Sequence, residues 1–458
     1  MSYKPHHTRL PGSSTLHRAC IIITCIIAAL SAPAYGQNCE NDHTDLVPLN
    51  DLGSGRYLDL FEGGLYRNGS NEPPIAHEAE GLLRAAAIEP LDALGRPDPV
   101  GKYILMSIGM SNTTQEYCGG QNSGNCRSWS FMGQAADDPR VNHESLVLID
   151  GAAGGQAADA WESPESPNYD RIRDQILLPR GLSELQVQAL WIKLADRRPT
   201  RSLPDPDADA IVLMRRMGNA LRACKTRYPN LSVVFLSSRI YAGYAEGISD
   251  LNPEPYAYEA AFTMKWLIDA QVTQMESGAI DPNAGDLNYT TVAPWIAWGP
   301  YLWADGVRPR SDGLTWLCAD FAPDGTHPSA SGQEKVGSLL LAFMLTSPFT
   351  IDWFRAEPGN TAPVATITSP PHRSTFQVGQ VVQFSGMGVD LEDGPLPRQA
   401  FEWRVDLPTR GIFDRLVVIG RKAGSGVVPF EGRYVLRLIV TDSEGLQGTD
   451  EVEFRVLP

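Results

Sequence analysis

Through the first three quarters of the chain, short apolar runs are followed by longer stretches with helical spacing; after that, apolar and polar residues simply alternate. Tyr103 to Ile108, Leu146 to Ile149, Val187 to Ile192 and Val233 to Leu236 are continuous enough to be strands buried on both faces. Helical periodicity marks Ala210 to Arg227, Tyr256 to Glu276 and Gly332 to Leu345, the last with Val336, Leu339, Leu340 and Phe343 on one face. Strand and helix in alternation predict a parallel sheet covered by helices, with the ligand site at the carboxyl ends of the strands. Glu357 to Pro363 is a run of turn formers and reads as a linker. Beyond it, Val381 to Ser385, Phe401 to Val405, Tyr434 to Val440 and Glu451 to Val456 alternate with period two, as the strands of a small sandwich do.

The beginning follows a different pattern. Lys4, Arg9 and Arg18 precede the apolar run Ala19 to Leu30, and Ser31-Ala32-Pro33-Ala34-Tyr35-Gly36 offers small residues for cleavage. Basic, apolar, small is the order of a secretory signal peptide, and the run falls short of the roughly 20 residues a membrane-spanning helix needs. The competing reading is an uncleaved signal anchor. The expected organisation is therefore signal peptide 1–36, an α/β domain 37–356, linker 357–363 and a β-sandwich 364–458, with the mature protein secreted or periplasmic and not inserted in a membrane.

Charge and cysteines narrow the picture further. The net charge is −16 and becomes −19 without the three basic residues of the first segment. Such a surface repels phosphate backbones and anionic lipid, which excludes nucleic acid as a partner and leaves small neutral esters and neutral polysaccharide. Cys20 and Cys25 leave with the signal. Among the remaining five, Cys118 and Cys126 are placed to close a small polar loop, Cys224 with Cys318 is a second pairing, and Cys39 is left free. No C-x-x-C or His pair has the spacing of a zinc site, so no metal or other cofactor is expected.

Two motifs carry the chemistry. Gly109-Met110-Ser111-Asn112 follows the first buried strand, which puts Ser111 at the carboxyl edge of the sheet and at the mouth of a helix, where unpaired amides favour negative charge. A serine needs a base to become a nucleophile. Asp324-Gly325-Thr326-His327 supplies one: a single loop presents the imidazole of His327 and a carboxylate to fix its tautomer. Taken singly, Ser111 reads equally as a helix cap and His327 as a surface histidine before a helix capped by Ser329 or Ser331.

Together the two blocks resemble the first and last blocks of the SGNH/GDSL hydrolases. The resemblance covers residues 100–345 and implies a three-layer α/β/α flavodoxin-like fold, with Ser111 as nucleophile, His327 as base and Asp324 as orienting acid. Met110 stands where that family has the Asp of Gly-Asp-Ser. In the second block, Asp150 to Gly155 has the spacing of the family's Asn and oxyanion glycine, which implies Gly155, with Gly154 beside it, as a backbone donor alongside Ser111. The third block departs from the family: Trp191 to Asp196 places Ala195, which cannot donate, where the third oxyanion donor belongs; Lys193 or Asn112 is the candidate replacement, and Lys193 reads equally as a surface residue beside the strand. Gly-Gly-Gln followed by Trp161 is most similar to the carbohydrate O-acetylesterase branch.

Arg239, Tyr241 and Tyr244 follow the fourth strand and are either substrate contacts or loop packing. The tryptophan-rich run Pro294 to Trp303 offers stacking faces for sugar, or a loop's own core, and core is the reading adopted. With Asn360-Thr361-Ala362-Pro363 at its start, Asp390 to Gly394 in its middle and Val440-Thr441-Asp442-Ser443-Glu444-Gly445 near its end, the C-terminal part resembles PKD-like, immunoglobulin-like modules. Its Asp390, Glu392 and Asp393 offer oxygen ligands of the kind calcium takes, or form a solvated acidic turn, which is the reading adopted. The expected activity is hydrolysis of small acyl esters, acetyl on carbohydrate foremost. The competing expectation is a catalytically weak glycan- or surface-binding protein that kept the fold.

Overall fold

The computed structural model describes residues 1–2, 36–120, 124–246, 252–356, 362–390, 393–443 and 445–458. The expected signal peptide and most of the linker lie outside these residues. Five strands form a fully parallel sheet: β1 (Tyr103–Gly109), β2 (Leu146–Asp150), β3 (Val187–Lys193), β4 (Val233–Leu236) and β5 (Trp295–Trp298), in the order β2-β1-β3-β4-β5. That order is the doubly wound, flavodoxin-like one, whose reversal point lies between β1 and its neighbours. All residues of β1 and β3 are buried, as central strands covered on both faces must be.

The helices that matter here are α1 (Ile75–Ala86), α2 (Ser111–Cys118), α3 (Phe131–Asp137), α4 (Asp209–Arg227), α5 (Tyr256–Ser277) and α6 (Ala330–Thr346). α4 and α5 pack on each other, and α6 packs on α2 and α3. Their apolar faces join the sheet in one core running from Leu49 to Phe354. β5 differs from expectation: the tryptophan-rich run contains the fifth strand, and Trp295, Trp298 and Trp303 are buried. Its four residues lie between Pro294 and Gly299-Pro300, too short a run to show a strand period.

The C-terminal part is an antiparallel sandwich with its own core from Val382 to Val456. Its strands are β6 (Val364–Ser369), β7 (Ser374–Gln377), β8 (Val381–Asp390), β9 (Gly394–Pro395), β10 (Phe401–Leu407), β11 (Ile412–Ile419), β12 (Ala423–Val427), β13 (Gly432–Thr441) and β14 (Gln447–Leu457). One sheet gathers β6, β9 and β12 around β8; the other has the order β11-β10-β13-β14-β7, with only the β14–β7 pair parallel. Inward residues alternate with outward ones, most regularly along β8.

The cysteine pairing corrects the sequence reading. Cys118 does bond to Cys126, but Cys318 bonds to Cys39, and Cys224 is the free thiol among the described residues. Cys224 sits on the buried face of α4, where the Tyr169 hydroxyl lies 3.4 Å from its sulfur. Cys39 belongs to an extended strap across the loops at the carboxyl edge. Asn38 N–H donates to the Tyr244 carbonyl (2.8 Å), Tyr241 donates to the Asn41 carbonyl (2.8 Å), and Thr44 N–H and Oγ1 both donate to Asp305 (2.6 Å each).

Candidate active site

The turn from β1 into α2 depends on Gly109. A Cβ there would lie 2.2 Å from Thr113 Oγ1 and 2.6 Å from the Lys193 carbonyl oxygen, so no side chain fits and the strand passes abruptly into the helix. Ser111 is the first residue of α2, half-buried, where the helix has amides without intrahelical acceptors.

Asp324 and His327 sit on a closed loop before α6. Ala322 N–H donates to the His327 carbonyl (2.7 Å), and Ser329 N–H to the Asp320 carbonyl (2.8 Å). Gly325 has φ +69°, and a Cβ there would stand 2.3 Å from the Tyr244 carbonyl oxygen, so glycine is needed for the loop to reach the site.

The two elements meet. Ser111 Oγ lies 2.7 Å from His327 Nε2, and His327 Nδ1 lies 2.6 Å from Asp324 Oδ2. Asp324 Oδ1 also accepts the N–H groups of Thr326 (3.0 Å) and His327 (2.9 Å). Burial pushes this carboxyl upward, but the hydrogen bonds from the His327 ring and the two amides outweigh it and hold its pKa at about 2. A carboxylate so held stays ionised and fixes the Nδ1–H tautomer, leaving the Nε2 lone pair facing the serine hydroxyl. The His327 and Asp324 side chains remain 21% and 31% exposed, so a substrate can reach the chain from solvent.

Gly154 and Gly155 lie on the exposed turn after β2, Gly155 with φ +72°. That turn is anchored beside the Ser111 elbow by Ala153 N–H, which donates to the Gly109 carbonyl (3.2 Å). The Gly-Gly-Gln…Trp signature holds its shape: the Trp161 indole donates to the Gln156 carbonyl (3.1 Å), and Asn168 to the Gln156 side chain (3.0 Å). Asp150 at the end of β2 is wholly buried and accepts from Ser107 (2.7 Å) and Thr114 (2.5 Å). Burial pushes Asp150 up to about 6 against those hydrogen bonds.

The other candidates fare differently. Ala195 is buried, and its carbonyl accepts Ala158 N–H (3.1 Å); its methyl side chain has no hydrogen to donate. Asn112, buried, spends an amide hydrogen on the Thr326 carbonyl (3.0 Å) and so ties α2 to the Asp324–His327 loop. Lys193 is turned into the protein: its ammonium lies 2.5 and 2.6 Å from the two carboxylate oxygens of Glu116, with both groups sealed from solvent. Burial lowers Lys193 to about 8, with attraction to Glu116 opposing the fall. Arg239 is buried nearby, and Glu116 and Asp324 act on its charge.

Tyr241 and Tyr244 are buried and pack edge to face (5.1 Å between ring centres), their hydroxyls donating to the carbonyls of Asn41 and Trp316 (2.8 Å each). They hold loops and the strap rather than facing the cleft. Glu116 escaped the sequence reading, because a lone Glu in a short helix carries no pattern until its partner is placed in space. In the sandwich, Asp393 accepts from Ser443 N–H (2.7 Å) and Oγ (2.9 Å), and its own N–H donates to Asp390 (2.8 Å). Glu392 lies outside the described residues; among them, no group of three His, Cys, Asp or Glu is arranged to hold a metal.

A Ser-His-Asp arrangement at the carboxyl edge of a doubly wound α/β sheet, followed by a β-sandwich, is what fold and site define. No family model matches the chain, and no curated protein matches it. Among solved structures it is similar to a putative GDSL-like lipase from Parabacteroides merdae, at 11% identity over 56% of this chain and 97% of that one (TM-score 0.29). It is also similar to a carbohydrate esterase family 2 enzyme with its carbohydrate-binding domain from Corynascus thermopiles (Myceliophthora fergusii), at 17% identity over 54% of this chain and 66% of that one (TM-score 0.28). A further likeness is to the PKD1 domain of Vibrio anguillarum Epp, at 21% identity over 22% of this chain and 99% of the domain (TM-score 0.16).

Proposed function

We propose that the chain is a serine ester hydrolase acting on small acyl esters, with acetyl groups on carbohydrate as the favoured substrate. The observation that carries the reading is the unbroken hydrogen-bonded series from Ser111 Oγ through His327 to Asp324 at 2.7 and 2.6 Å. Ser111 attacks the ester carbonyl while His327 Nε2 takes its proton, and Asp324 stabilises the imidazolium that forms. The oxyanion is held by the amides of Ser111 and Gly155, Gly154 shaping the turn. His327 then protonates the departing alcohol. Water, activated by the same imidazole, attacks the acyl-serine and releases the acid. The acidic surface suits an uncharged acyl donor. The basic-apolar-small start and two disulfides support a secreted or periplasmic location, and no helix among the described residues is long and apolar enough to cross a membrane.

One observation favours a second reading, a glycan- or surface-binding protein with little catalysis. Ala195 leaves one oxyanion donor missing, a loss of about 3–4 kcal/mol of transition-state stabilisation where such donors have been removed. Hydrolysis of 4-nitrophenyl acetate by the mature protein and by Ser111→Ala separates the two. An enzyme loses at least ~10³-fold with that change, since the three groups act as a unit. If both proteins are equally inert and a serine-directed phosphonate leaves the parent unlabelled, the hydrolase reading is wrong.

A further inference from the structure

Three charged groups take no part in the chemistry above. Glu116 comes from α2, Lys193 ends β3, and Arg239 follows β4, the strand beside β3; each is essentially inaccessible to solvent. Lys193 stands in register with Gly109, two residues before Ser111, and its carbonyl accepts from Thr113 Oγ1 (2.7 Å). The polar side chains of α2 therefore reach three different elements. Asn112 bonds the Asp324–His327 loop, Thr113 and Glu116 bond β3, and Thr114 bonds Asp150 on β2.

An ion pair is a costly way to fill a core. Replacing a buried pair with apolar groups of similar volume is often neutral or stabilising, so stability alone does not account for it. What a charged pair has and apolar packing lacks is direction. Ser111 and His327 stand on different elements, and their contact depends on how α2 is rolled about its axis and set along β3. A misplacement of about 1 Å at such a contact costs on the order of 10²-fold in rate.

We infer that the buried Glu116–Lys193 ion pair is a positioning device for the nucleophile, fixing α2 on β3 so that Ser111 Oγ meets His327 Nε2. The inference rests on the proposed hydrolase reading. Neither residue touches substrate; both act through Ser111. The apolar pair Glu116→Leu with Lys193→Met removes the direction and takes away both charges together, leaving Glu254 and Asp324 as the acids that act on buried Arg239, and Lys193→Arg keeps the charge.

The full chain and these variants are compared by kcat and KM for 4-nitrophenyl acetate, by the rate of phosphonate labelling of Ser111, and by thermal midpoint. The apolar double variant should keep its midpoint within a few degrees and its KM within about twofold, while kcat and labelling rate both fall about 10- to 100-fold. Lys193→Arg should recover most of that loss. The inference is overturned if the double variant keeps kcat within about twofold of the parent, if its loss merely follows the fraction unfolded by circular dichroism, or if KM changes in place of kcat. A parent that neither hydrolyses nor labels overturns the hydrolase reading, and this inference with it; an active parent with an unimpaired double variant overturns this inference alone.

Discussion

Acidic and basic side chains meet in both parts of the molecule, but under opposite conditions. At the edge of the parallel sheet, Glu116 and Lys193 pair with side chains 0% and 1% exposed. On the sandwich, Arg433 pairs with Glu453 across β13 and β14 in the open, and half-buried Arg437 pairs with Glu451, Asp414 and Asp406. Water and salt screen the second kind to about 0–1 kcal/mol each, and the pairs keep a sheet face soluble. The first kind is unscreened, and its geometry constrains everything bonded to it. The strands differ in the same way: β1 is buried at every position, whereas β8 alternates. The α/β part carries exposed pairs too, such as Arg201–Asp207, but Glu116–Lys193 is sealed inside it.

The contrast can be broken at several points. The largest effect in the α/β part, after loss of Ser111 itself, should come from Asp324→Asn, with kcat falling about 10⁴-fold because the wrong imidazole tautomer faces the serine. A loss below about tenfold would remove Asp324 from the proposed mechanism. The same variant has a signature in pH. Asp324 has its pKa depressed to about 2, so its contribution to stability is complete above the unfolded value near 3.9 and disappears as pH falls toward 2. Acid titration of the parent should therefore show a loss of stability between about pH 4 and 2 that the Asn variant lacks.

A smaller effect is expected from the strap. Replacing both Cys39 and Cys318 by Ser opens a bond spanning 279 residues and should lower stability by about 2–5 kcal/mol. Denaturant unfolding followed by tryptophan fluorescence reports on this part, since nine of the ten tryptophans precede residue 354. An unchanged midpoint would mean that the hydrogen bonds of the strap suffice without the disulfide. Smallest of all, Arg433→Ala on the sandwich should shift stability by no more than about 1 kcal/mol and leave ester hydrolysis unchanged. A large effect there would show that exposed pairs of the sandwich matter as buried ones do.

The strands β1 to β4 were legible because an uninterrupted apolar run leaves few alternatives to a buried strand. Ser111 and the Asp324–His327 loop were legible because a strand end and a four-residue spacing are local. What escaped depends on distant parts meeting. The Cys39–Cys318 bond requires the strap to cross the sheet edge, and nothing near either cysteine announces it. Lys193 reads from the sequence as a replacement donor or as a surface residue, and its partner Glu116, 77 residues away, shows itself only once α2 is packed on β3. β5 was hidden by its shortness and by indoles that suit a loop as well as a strand.

The strap also fixes an order of events. Cys318 is synthesised long after Cys39, and the loop that carries Asp324 and His327 follows within ten residues. The covalent closure and the arrival of the base thus belong to the same late moment in the life of the nascent chain. On the proposed reading, Ser111 has no proton acceptor until His327 has been made. The chain has to pass residue 327 before the three groups of the proposed triad can meet, and Cys318 is by then in place to pair with Cys39.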